Sequence, residues 1–599
     1  MSNKARYITL GVFWALPVGF YVVVWFILKV FFHGAATNIQ GWDQFFMANF
    51  WHGHFALWLF LFIWLTISLI GWAASSYGSH QGYGSRRERA GDTGTHITAG
   101  VMVLILVVSI FQMFNVGIDN DKDAANFLNR ATVFYAPDIN HVPESLNRLV
   151  SNAKTGDKNC QLVGSHDVPS CINQGTLATT GWDARIGSFD GAKVALRQAS
   201  ADVQKVSLDE STVTYLNASD GQPARWSGIL DGNGKHQAMG GVAEWAPDEN
   251  SNNVPTKCEF TGNYAINRAF GGSHMNALNS LVAEKYPSMR FDIGDVWGYC
   301  KSTSDPKVTE PIVVIPMTRQ VNYEHRTVDT AAGVVLVQGD HGKTKLTYDP
   351  QVKPGELPGP AYPMSLAASQ RVDVKWAAGR SNMNTGGFGY EPTTLEAQAG
   401  NVSEFLLRNK ATGRLEYVTP LTLRSSTSEV ILAYTIIDAD AVNSGDLNQL
   451  SVYVLADNDP RRVNLQRLEA DAHSYLGQAN NSFFNSGGQL LEFTPVDGDV
   501  WRAFGEQGNA SGQNSGQVVY RLDISATRKI QTTLVSLTPD VSSGANTGTS
   551  TSTSPTGGTT VSGNACGQSV DQLSTAQLTA CLREFADALD GRQNSSPGK

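Results

Sequence analysis

Six residues of this 599-residue chain can enter redox chemistry with one another: Cys160, Cys171, Cys258, Cys300, Cys566 and Cys581. Their number is even and all lie after residue 159, whereas three long apolar runs all lie before residue 118. Disulfides persist in oxidising compartments, and unpaired thiols are uncommon there. The distribution therefore predicts a disulfide-bonded body carried outside the cytoplasm. Neighbouring cysteines suggest the pairs Cys160–Cys171, Cys258–Cys300 and Cys566–Cys581, with connectivity left open by sequence alone. A crosslink spanning Cys258 to Cys300 would contribute about 3–4 kcal/mol in the chain-entropy treatment.

The remaining combinations fall short of a catalytic set. Ser151 and Lys154 have the Ser-x-x-Lys spacing in which a lysine can activate a serine nucleophile. The companion Ser-Asp-Asn and Lys-Thr-Gly elements are missing, Lys343-Thr344-Lys345 being the nearest approach. Asp119, Asp121 and Asp123 alternate like the first ligands of a calcium loop, but Ala124 and Arg130 stand where the loop needs glycine and glutamate. His33, His52 and His54 sit at the outer ends of the first two apolar runs, a level at which paired imidazoles ligate haem or a transition metal. Asp43 is the one nearby carboxylate to support them, so histidines facing headgroups are the simpler reading. Gly271-Gly272-Ser273-His274 lacks the later glycine of a nucleophile elbow, and Ser273 reads instead as a helix N-cap. His274 and His341 would act together only if the fold joined them. Asn384 to Gly389 is glycine-rich without the strand-then-helix setting of a phosphate loop, and reads as a surface loop. No catalytic residue, metal or cofactor is assigned from these patterns.

The elements that must carry this chemistry begin with the apolar runs, Ile8 to Phe32, Phe55 to Trp72 and Ile97 to Val116. Each is long enough as a helix to cover a hydrocarbon layer of about 30 Å. Trp51 and Trp72 flank the second run as interfacial aromatics do, and Lys29 can snorkel from the end of the first. The first run is too long for a cleaved signal peptide, and no small-residue cleavage site follows it closely. Lys4, Arg6, Arg86, Arg87 and Arg89 lie on one side of this arrangement, while residues 33–50 contain no Lys or Arg. The positive-inside rule then predicts a cytoplasmic N-terminus, a multi-pass anchor over 1–118, and everything beyond it outside the cell membrane.

Beyond the anchor, residues 119–263 read as irregular, with a short helix expected at 143–153 and a strand at 213–216. A helix-plus-hairpin subdomain is expected over 264–353: a helix from Ser273 to Tyr286 ended by Pro287, strands at 289–294, 312–317 and 333–337, and a hairpin turn at Gly339-Asp340-His341-Gly342. A proline-rich connector, Pro354 to Pro363, leads to a second strand-rich subdomain over 361–537. Its expected strands include Val372–Trp376, the hairpins 404–419, 490–504 and 518–537, and the apolar segments 430–437 and 450–455; a helix is expected at 465–475. The fold class is thus α+β, three transmembrane helices followed by a body rich in antiparallel sheet with a few helices. Residues 538–564 are nearly all Thr, Ser, Gly and Pro and read as a disordered linker. A helical tail over 565–590 follows, with Leu578, Cys581, Leu582, Phe585 and Leu589 in a stripe and a Ser574/Gln577 capping box.

A net charge of −9 without a concentrated basic patch excludes nucleic acid as a partner. No acidic residue interrupts the apolar runs, which argues against a transport path. The sequence favours a non-catalytic, membrane-anchored protein whose outer body binds other envelope proteins or polymers, with self-assembly through the three helices also open. Two rivals are an extracytoplasmic enzyme acting on cell-wall or glycan material and a haem- or metal-binding redox partner. The first would require two carboxylates brought together in a cleft from distant strands.

Overall fold

In the computed structural model the described residues are most of 124–537, with the larger gaps at 139–171, 378–388 and 393–404, and scattered positions between Ile63 and Ile110. The chain divides into two compact units, Met1–Asp540 and Val541–Lys599. The second unit lies outside the described residues, and with it the tail stripe, Cys566 and Cys581. Cys160, Cys171 and the helix expected at 143–153 lie outside them as well. So do the three apolar runs, apart from isolated helical positions such as Ile63, Trp64, Val103 and Leu104. Among the described residues no helix is long and apolar enough to cross a membrane.

The body is sheet-rich, with four principal helices: α1 (Phe189–Ser200), α2 (Leu278–Lys285), α3 (Met364–Val372) and α4 (Leu465–Ala479). A seven-stranded central sheet runs in the order Tyr390–Pro392, Leu415–Leu423, Ala433–Asp438, Leu450–Val454, Thr132–Ala136, Ile172–Gln174, with Phe405–Arg408 also pairing on Leu415–Leu423. It is antiparallel except where Thr132–Ala136 lies parallel to both of its neighbours. A five-stranded sheet is built on the long hairpin Thr309–Tyr323 and Arg326–Asp340, and two four-stranded antiparallel sheets cover 206–259 and 489–537.

Local chemistry explains the joints. His341 (φ 47°) and Gly342 (φ 86°) occupy the two left-handed positions of a tight turn, and Asp340 pairs with Lys343 across it. Pro316 is tolerated inside a strand because it lies opposite Val334, where the ladder shifts register between Ala331 and Val334. Cys258 on Thr256–Glu259 and Cys300 on Trp297–Ser302 are joined by a disulfide that links two sheets, with α2 inside the loop it closes.

Several elements depart from the sequence expectation. Val372–Trp376 is no strand: it is the last residue of α3 followed by a 3-10 turn, Asp373–Trp376. Its two-residue alternation is accidental, because the buried residues Leu366, Ala367, Gln370 and Arg371 follow the helical period. Residues 189–259, expected to be irregular, form α1 and a complete four-stranded sheet. The buried face of α1 consists largely of Ala192, Ala195 and Ala199, too small to stand out as an apolar stripe. Helix α2 starts at Leu278, since Ala277 is still extended (φ −70°, ψ 130°). The proline-rich stretch 354–363 is no exposed spacer. Ala361 and Tyr362 are fully buried, and the Pro360 carbonyl accepts a hydrogen bond from Trp297 Nε1 at 2.8 Å. The largest core packs Phe134 and Leu450 of the central sheet with Trp297 and Val314 of the five-stranded sheet, each large side chain contributing about 1.5–3 kcal/mol by leaving water.

Candidate binding cleft

One face of the central sheet gathers polar and aromatic side chains. Glu416 and Asp438 are direct cross-strand partners, so both carboxyls leave the sheet on the same side. Ile436 faces Ser451 on the next strand, and Tyr453 faces Tyr135 on the one after. Period two places Glu416, Asp438, Ser451 and Tyr453 on this common face.

A strap formed by residues 177–182 crosses that face and makes the opposite wall. The guanidinium of Arg461 donates to the carbonyls of Leu177 and Ala178, both at 3.0 Å, and is itself gripped by Asp459. At the other end the Trp182 amide donates to Val496 O at 2.6 Å, and Trp182 bridges to Asn409. Gly181 is required there: its φ is +59°, and a Cβ would stand 2.1 Å from Val496 O. Between strap and sheet lies a cleft of about 310 Å³ whose lining includes Trp182, Asn409, Glu416, Asp438, Ser451 and Tyr453.

The two carboxyls live in unlike surroundings. Glu416 is buried; its oxygens accept from Trp182 Nε1 and Asn409 Nδ2, each at 2.9 Å. Burial nevertheless pushes its pKa above the usual glutamate range, the two hydrogen bonds offsetting only part of the lost hydration. Asp438 has 46% of its side chain exposed and is paired with Arg414 at 2.7 Å. The other guanidinium nitrogens of Arg414 hold Asp440 at 2.8 and 3.1 Å. Tyr453 stacks on Tyr135 with ring centres 4.7 Å apart and planes 13° from parallel. Its phenol is pushed up chiefly by burial, then by Tyr135, with Glu416 and Asp438 contributing from across the cleft. Gln449 Nε2 donates to Ser451 Oγ and to the Tyr135 hydroxyl at 3.0 and 3.2 Å. Such a surface can accept hydrogen bonds and stack a ring.

A second group of perturbed carboxyls anchors α1. Ser188 caps the helix, its Oγ accepting from Gly191 N at 2.9 Å and donating to Glu506 Oε1 at 2.5 Å. The Phe189 amide donates to Glu492 Oε1. Glu492 lies in the left-handed region (φ 55°) at a register shift of its strand. Burial pushes Glu492 up to about 8 and Glu506 up to about 7.

None of the cleft residues stands out in the sequence analysis. The signal available there was a pair of acidic residues, Glu416 and Asp438, inside strands otherwise uncharged (LEYVTPLTL and AYTIID). Of the residues singled out from sequence, Cys258 and Cys300 are bonded, and His341 sits at its hairpin tip. His274, Ser151, Lys154, the histidines at 33, 52 and 54, the aspartates at 119, 121 and 123, and residues 384–388 lie outside the described residues. Among the described residues no group of three or more His, Cys, Asp or Glu is placed to hold a metal ion. No family model, no curated protein and no solved structure matches this chain.

Proposed function

We propose that this chain is a membrane-anchored, multi-pass protein whose extracytoplasmic body binds a glycan strand of the envelope in the cleft between the strap and the central sheet. The observation that carries the reading is the convergence of Tyr453, stacked on Tyr135, with Glu416 and Asp438 on one sheet face. Sugar rings offer apolar C–H faces to an aromatic plane and hydroxyl donors to carboxyl oxygens, and this cleft supplies both partners. A volume of about 310 Å³ lies in the range of small-ligand pockets and suits a short stretch of sugar chain. The apolar runs and the cysteine distribution support the anchor and its orientation.

Isothermal calorimetry of the full chain in detergent against envelope-type oligosaccharides tests the reading. Binding should weaken about tenfold or more in Tyr453→Ala and Glu416→Gln. Equal affinity in wild type and both variants would refute the cleft as the site.

A hydrolytic reading draws support from one further observation, the unlike settings of two opposed carboxyls: Glu416 buried and biased toward its protonated form, Asp438 held beside Arg414. It requires new reducing ends to appear when oligosaccharide and protein are incubated, and to disappear with Glu416→Gln or Asp438→Asn.

A further inference from the structure

We propose that the cleft selects sugars bearing a free ammonium group, that is, de-N-acetylated amino sugars, in preference to neutral or N-acetylated ones. This inference rests on the glycan-binding reading and narrows it. Among the described residues lining the cleft, Glu416 and Asp438 bring carboxyl groups and none brings a cationic side chain.

The indole and amide donors around the cleft are turned on its own acceptors. The Trp182 indole N–H and the Asn409 amide are directed at Glu416, and the Gln449 amide at Ser451 and Tyr135. Asn409 also uses its oxygen to cap the amides of Ala411 and Thr412, which fixes its orientation. What the two carboxyls keep toward the cleft is acceptor capacity. Each Glu416 oxygen accepts one hydrogen bond in the structure and has room for another. An ammonium group is a donor with three N–H bonds and no acceptor, and the aromatic side chains of Trp182 and Tyr453 line the same cleft. Arg414 lies behind Asp438 rather than among the lining residues, and it is shared with Asp440, so it offsets only part of the negative charge. N-acetylation removes the positive charge and leaves the nitrogen a single N–H to offer the carboxyl oxygens, so it forfeits most of what the ammonium gains there.

The test compares three tetrasaccharides, β-linked glucosamine, its N-acetylated form and glucose, by calorimetry with the full chain in detergent at pH 7 and moderate salt. The glucosamine form should bind about tenfold or more tightly than either of the others. That preference should shrink in Glu416→Gln and in Asp438→Asn; the second variant alters a half-exposed side chain and so retains the fold. Equal or tighter binding of the N-acetylated or glucose form overturns the ammonium preference and leaves the glycan reading standing. Binding of none of the three overturns both. Capture of tetralysine without the glucosamine form places the amine on a protein and likewise overturns the amino-sugar assignment.

Discussion

Glu416 is held by two donors, the Trp182 indole and the Asn409 amide, and this makes Trp182 the residue to change first. Trp182→Phe keeps most of the ring packing against Tyr434 but removes the indole donor, leaving a buried carboxyl oxygen short of a partner. The expected cost is about 1–3 kcal/mol, read as a lower urea midpoint at unchanged slope. Gly181→Ala should cost at least as much, because the backbone there is left-handed and the Cβ would meet Val496 O. Neither effect was legible in sequence. Trp182 and Gly181 stand in a stretch without periodicity, and their roles come from Asn409 and Val496, residues hundreds of positions away that no local pattern connects to them.

At the scale of elements, the docking of α1 on the 489–537 sheet has a pH dependence whose sign follows from its two glutamates. Glu492 faces Arg185, Glu506, Asp190 and the Phe189 amide; Glu506 faces Ser188, Asp190 and Lys193. Burial raises both pKa values in the folded state, to about 8 and about 7, above the ordinary value of 4.5. Between the unfolded and folded values the native state holds more protons, so stability is full below pH 4.5 and is lost as pH rises through 7 and 8. The melting temperature should therefore fall by a few degrees from pH 6 to pH 9, and Glu492→Gln should flatten that decline in a circular-dichroism series. A flat wild-type profile would refute the assignment. Replacing Cys258 and Cys300 together removes a crosslink spanning 42 positions, for an expected loss of about 4 kcal/mol, measurable by denaturant unfolding against the oxidised parent. Elements with local turns were the legible ones. The hairpins around Asp340–Lys343, Arg408–Leu415 and Asp497–Val500 are where the turn residues and alternating strands placed them. The parallel pairing of Thr132–Ala136 with Leu450–Val454 has no such signal, because some three hundred residues of chain separate its partners.

For the whole molecule, the proposed orientation makes a direct prediction. A cysteine placed at Asp457, whose side chain is fully exposed, should react with a membrane-impermeant maleimide in intact cells, whereas one placed at Arg87 should react only after permeabilisation. The opposite labelling pattern would reverse the topology. The body offers few local clues to its own layering. Its largest core is assembled from residues scattered across more than three hundred positions, Leu128 to Val454.

Strand Thr132–Ala136 is hydrogen-bonded on both sides, to Leu450–Val454 and to Ile172–Gln174, and it is the first described strand after the apolar runs. Tension applied through the chain before Thr132 along the strand direction would have to slide this strand past two ladders at once, rather than peel one hydrogen bond at a time from an edge. The sheet that floors the cleft would thus bear mechanical load in shear. Under the proposed reading, a tug between a membrane anchor and a polymer held against Tyr453 would pass through the Tyr135–Tyr453 register, so grip and tether would share one set of hydrogen bonds.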